Sequence, residues 1–190
     1  MKDSNSETDF VEEIEERYSR YENWWRGKGI VTASVINRFG TPKNVRELTD
    51  LMNREDAERL RFFSAYPEKA YAYPEEAARL HDILIRGRRW EPDMIPHAPT
   101  FIGPGSLCIF AGSQVEAVNG SVWFHERPDW DGDPNDIVFD PENIWWKRTI
   151  HYIDALKEVS GGDYYITFPD LAENWDILAS LSGSTKLLMD

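Results

Sequence analysis

Asp170, Asn174 and Asp176 follow the β-rich run Tyr164 to Phe168 and surround the start of a helical stretch. Carboxylates at a strand tip accept hydrogen bonds from a cationic or N–H-bearing substrate, and one whose pKa is raised by burial can act as a general acid or base. Plainer roles compete: Asp176 favours a helix N-terminus by its charge, Asn174 caps it, and Asp170 fixes the loop. His97 stands in Pro96-His97-Ala98-Pro99, where the prolines hold the backbone extended. A neutral imidazole there serves as acid, base or metal ligand, or simply bonds to backbone. His81, His97, His125 and His151 show no i,i+4 or His-x-His pairing, so the spacing predicts no metal centre, and His81 and His151 fall within predicted helices. Trp123 and Trp130 could stack on a sugar or tetrapyrrole, or serve as core. Asp129, Asp131 and Asp133 are spaced as in a calcium loop, but Gly132 is misplaced and Pro134 intervenes, which predicts a solvated acidic loop. Gly103-Pro104-Gly105 lacks a phosphate-loop lysine and reads as a turn.

The elements that must position these groups alternate. Residues 1–8 read as a loose polar tail. From about Asp9, the residues Phe10, Ile14, Arg17, Tyr18, Tyr21, Trp24 and Trp25 recur at helical spacing. Ile30 to Ile36 is β-rich between turn residues and predicts a first strand. Val45 to Met52 and Glu55 to Phe63 predict helices closed by Pro67. Pro74 opens another that ends near Gly87, with Ala77, Ala78, Leu80, Ile83 and Leu84 inward. The prolines between Met94 and Ile102 predict a short strand running into an irregular loop. Ser106 to Ala111 is apolar, and either helical or extended. Ser121 to His125 predicts a strand, and Glu126 to Asp140 a loop. Pro141 starts a long helix stopped by Gly161-Gly162, Tyr164 to Phe168 is a last strand, and a helix runs from Trp175 to Asp190. This order predicts an α/β fold. A strand that delivers Asp170, Asn174 and Asp176 to its C-terminal tip is the way a barrel presents its pocket. Such a barrel needs about 250 residues, so the 190 residues are expected to end inside the fold.

With 41% hydrophobic and 13% aromatic residues the chain has material for a core. Its formal charge of −13 repels phosphate backbones and anionic lipid, which argues against nucleic acid and membrane partners. Arg86, Arg88 and Arg89 form the one basic cluster and read as a solvated helix end. Cys108 is the single cysteine, which excludes a disulfide framework or thiolate metal site within the chain and suits a reducing, cytoplasmic setting. No run approaches the ~18 apolar residues of a membrane span.

Phe168-Pro169-Asp170-Leu171, then Asp176 through Gly183, then a helix with Leu187, Leu188 and Met189, resembles the middle of uroporphyrinogen-decarboxylase-like proteins. The aromatic N-terminal helix leading to the strand at Val31 to Val35, the segment Pro92 to Gly105 and the Val122-Trp123-Phe124 step are similar to a branch of that superfamily, over most of residues 10–190. The resemblance implies the N-terminal part of a (β/α)8 TIM-type barrel with an extra N-terminal helix, as a tail at 1–8 and a partial barrel domain at 9–190. It implies decarboxylation of, or methyl transfer to, a small or tetrapyrrole-related substrate. In that frame Asp170 anchors substrate, His97 is the acid–base group, and Asn174 and Asp176 complete the pocket wall. Trp123 and Trp130 would contact substrate. Arg38 is the one residue in the early strand that could take the place of the decarboxylase's carboxylate-binding arginines. No cofactor is expected in this segment; zinc or a corrinoid would enter through the second half of the barrel, beyond Asp190. The expected partners are a small-molecule substrate and either a second copy or a C-terminal half-barrel chain. The other reading is a non-catalytic ligand-binding or interaction protein that uses the loop from Trp123 to Trp130.

Overall fold

Small side chains decide which helices touch. Ala77 and Ala78 lie fully buried on a helix spanning Pro74–Gly87, beside Leu80 and Ile85. They face the long helix Ile144–Ser160, which turns Thr149, Tyr152, Ala155 and Leu156 inward. The computed structural model describes residues 4–31, 52–87, 90, 93–100, 102–103, 105–118, 121–171 and 174–189. Within them the elements are α1 (Ser4–Trp25), α2 (Arg54–Ala65), α3 (Pro67–Ala70), α4 (Pro74–Gly87), β1 (His97–Ala98), α5 (Ser106–Phe110), β2 (Gln114–Val118), β3 (Ser121–His125), α6 (Ile144–Ser160), β4 (Tyr165–Ile166), α7 (Asn174–Ser182) and α8 (Ser184–Met189). Of the strand predicted over Ile30 to Ile36, Ile30 and Val31 are described and lie in no strand; the rest of it, residues 45–51 of the helix predicted over Val45 to Met52, and Arg38 lie outside the described residues.

The result is a mixed α/β arrangement rich in helix. β1 and β4 run parallel with His97 opposite Tyr165 and Ala98 opposite Ile166. The ladder is Tyr165 N–H to Pro96 O at 3.1 Å and Thr167 N–H to Ala98 O at 3.0 Å. Beyond the ladder the buried Thr100 hydroxyl donates to Thr167 O, and Thr167 Oγ1 donates to Ala98 O at 3.3 Å, so side chains extend a pairing too short to hold alone. Each strand follows a helix, α4 before β1 and α6 before β4, and the helices pack together as the strands do.

Several boundaries depart from expectation for local reasons. α1 begins at Ser4 and takes in part of the segment predicted to be loose. Its C-terminal half is moored: Arg17, 5% exposed, donates to Trp90 O at 3.3 Å and Met94 O at 3.2 Å, and the Tyr21 hydroxyl donates to Asp93 O at 2.7 Å. Pro67 does more than end α2. It opens α3, because proline's missing N–H is no loss in a first turn. Ser121–His125 is a strand as expected, yet its antiparallel partner Gln114–Val118 carries no such strong signal. The hairpin rests on Gly105, where an added Cβ would stand 2.6 Å from the Phe124 ring. The long helix starts at Ile144 and leaves Pro141 in the preceding turn, because the Asn143 side chain caps it. The single helix expected from Trp175 is two, broken at Gly183, whose φ of +84° is open to glycine and strained for other residues. No helix among the described residues is long and apolar enough to cross a membrane.

Candidate functional site

Three predicted residues follow β4 in the chain. Asp170 is exposed in the loop, and Asn174 and Asp176 are exposed in the first turn of α7. Apolar side chains stand open around them: Phe168 is 88% exposed and Trp175 69%. His97 lies on the neighbouring strand, half-buried, with Nδ1 3.0 Å from Ile95 O and its ring 5.6 Å from that of Trp90. A carbonyl can only accept, so Nδ1 carries the proton, and in the neutral ring Nε2 keeps its lone pair. The backbone bond that a purely structural histidine would make is therefore also the bond that orients a base. Trp123 stands out from β3, largely exposed. Trp130, by contrast, is buried and donates from Nε1 to Asp133 O at 2.8 Å, the environment of a loop's own core.

The acidic loop uses its carboxylates internally: Asp131 accepts from Asp133 N–H at 3.0 Å, and Asp133 from Asn135 N–H at 2.8 Å. Among the described residues no group of three His, Cys, Asp or Glu side chains is placed to hold a metal ion. Cys108 is buried with Sγ 3.8 Å from Ile177 O, and burial pushes its thiol up. Of the basic cluster, Arg88 and Arg89 lie outside the described residues, and Arg86 is no solvated helix end. It reaches Asp82 and Asp163 at 2.8 Å each and Ser160 O at 3.1 Å, while the Tyr164 hydroxyl donates to Asp82 at 3.0 Å. This network fastens the end of α4 to the turn between α6 and β4.

A second place has the features of a site and was not among the predicted ones. Leu60, Phe63 and Ser64 of α2, Pro67 and Ala70 of α3, Tyr71, His81 of α4, Pro99 just past β1, and Tyr152 of α6 enclose a cleft of about 140 Å³. His81 Nδ1 and the Tyr152 hydroxyl share a hydrogen bond, and the Tyr71 ring lies 5.0 Å from that of Tyr152. The Tyr71 hydroxyl is buried and has no hydrogen-bond partner among the described residues. Burial pushes His81 down to about 4 and the Tyr71 and Tyr152 phenols upward, so all three are uncharged at neutral pH. The signal in the sequence was position. His81 follows Ala77 at i+4 on the apolar face of α4, and Tyr152 follows Thr149 at i+3 on that of α6. No protein-family model matches the chain, and no curated protein or solved structure is significantly similar to it.

Proposed function

We propose that the chain contributes helix–strand units to a uroporphyrinogen-decarboxylase-like (β/α)8 barrel enzyme, which removes carboxylate from, or transfers methyl to, a small or tetrapyrrole-related substrate. The observation that carries this reading is the parallel β1–β4 pair, each strand preceded by a helix and the two helices packed side by side. In such a repeat the ends beyond Ala98 and Ile166 would form the mouth of the pocket, and Asp170, Asn174 and Asp176, which follow β4 in the chain, would line it. In this reading Asp170 anchors cationic or N–H groups of the substrate. His97 takes or returns a proton at Nε2, since Nδ1 is engaged by Ile95 O. The exposed faces of Phe168 and Trp175 supply apolar contact to a ring system. The described residues offer no donor set for zinc, so no step is assigned to a metal here.

Turnover of porphyrinogens, and methyl transfer from corrinoids, by the protein as its host makes it tests the reading. Asp170→Asn is expected to lower kcat/KM at least about tenfold, the loss of one charge-assisted hydrogen bond. Unchanged turnover in that variant would remove Asp170 from the role. The largely exposed Trp123 favours a second reading, a non-catalytic ligand-binding protein. Quenching of tryptophan fluorescence by sugars, without turnover of either substrate class, would select it.

A further inference from the structure

We propose that the cleft between α2, α4 and α6 binds an uncharged, ring-sized organic ligand carrying one hydroxyl, a molecule of the phenol class. Size is the first argument. The cleft encloses about 140 Å³, and an apolar protein cavity of about 150 Å³ accommodates benzene. The walls are the second, since Leu60, Phe63, Pro67 and Pro99 offer faces for ring contact.

The third is the polar inventory. If the Tyr152 hydroxyl donates to His81 Nδ1, then Nε2 keeps a proton and the phenol oxygen keeps a lone pair. If Nδ1 donates instead, the phenol keeps its proton and Nε2 its lone pair. Either arrangement leaves the pair with one donor and one acceptor to spare, which is the complement of a single hydroxyl. Tyr71 adds a buried hydroxyl without a partner among the described residues, which a ligand hydroxyl would satisfy.

Charge is the fourth. No Lys, Arg, Asp or Glu is among the described residues that line the cleft, so an ionised ligand would be desolvated there without compensation from them. The formal charge of −13 acts further against anions. Ser64, an exposed lining residue, marks the rim. No residue of the Asp170 segment lines the cleft, and the inference does not depend on the barrel reading.

Titration of the intact chain with phenol and with benzoate at neutral pH, followed by ligand-observed NMR, tests it. Phenol is expected to bind saturably and at least about tenfold tighter than benzoate. Tyr152→Phe, which removes one hydroxyl, should weaken phenol about five- to tenfold. Ser64→Trp, which blocks the rim at an exposed position, should abolish binding and leave the unfolding midpoint in place. Asp170→Asn should leave phenol affinity unchanged, which separates this site from the proposed catalytic one. Three results would overturn the proposal: no saturable phenol binding by a chain whose circular dichroism shows it folded, equal affinity for benzoate, or phenol binding that survives Ser64→Trp.

Discussion

A half-buried histidine that packing strips of water, with no charged side chain among the described residues lining its cleft, makes stability depend on pH. His81 has an ordinary pKa near 6.5 that burial lowers to about 4, and the groups facing it in the cleft, Tyr152 and Tyr71, are neutral phenols. As pH falls below about 6.5 the unfolded chain takes up the proton, whereas the folded chain does not until about pH 4. The unfolded state binds more protons across that window, so stability falls as pH falls through it, and His81 makes no difference above it. The loss approaches about 3 kcal/mol at the acid end. Urea unfolding at several pH values should show a steeper decline for the wild type than for His81→Gln. Parallel declines would mean that His81 is not held neutral. In the sequence His81 sits inside a predicted helix with no partner at metal-ligand spacing, and nothing there marks its burial beside two phenols. His97 was legible because two prolines frame it, but the alternatives of bonding to backbone and acting as a base are joined in one geometry that no sequence pattern separates.

At the scale of elements, α6 depends on one side chain. Asn143 Oδ1 accepts from Trp145 N–H at 2.9 Å and Trp146 N–H at 3.1 Å, and its Nδ2 donates to Ile109 O at 3.0 Å at the end of α5. Asn143→Ala is expected to cost about 2 kcal/mol, roughly half from the cap and half from the tie to α5. Asn143→Asp keeps the acceptor and loses the donor, so it should cost about 1 kcal/mol in the same denaturant experiment. Equal losses for the two variants would show that the cap contributes nothing. The helix itself was legible from apolar spacing and from Gly161-Gly162, yet Pro141 was a misleading start signal because Asn143 outcompetes it. The β2 strand was hidden for another reason: Gln114-Val-Glu-Ala-Val118 has modest β character and becomes a strand by register with Ser121–His125. Gly183 was visible as a residue, but φ of +84° follows only from where α8 must turn.

Taken whole, the molecule divides its apolar surface unevenly. One core joins α2, α4, α6 and β1 through Phe63, Ala77, Ala78, Leu80, Ala98, Tyr152 and Leu156. Phe168, Trp175, Leu188 and Met189 are all more than two-thirds exposed along the segment from β4 to α8. The α/β class was legible in the order of segments, because periodicity changes from strand to helix between Gly161 and Asp190. Closure into a barrel is a property of many strands, and a pair of two-residue strands does not specify it.

The two sheets differ most in time. β2 and β3 are adjacent in the chain and pair antiparallel, a pairing that forms in about 1–10 μs in isolated hairpins. His97 and Tyr165 meet only after the whole intervening chain has been looped, at an entropic disadvantage of about 2–3 kcal/mol relative to the hairpin. The parallel pair is therefore a late event in refolding and waits for α6 to dock on α4. Pulse-labelled amide exchange should find the Gln114–Val118 and Ser121–His125 amides protected before those of Tyr165 and Thr167. Simultaneous protection would mean that the long-range pairing guides the fold from the outset.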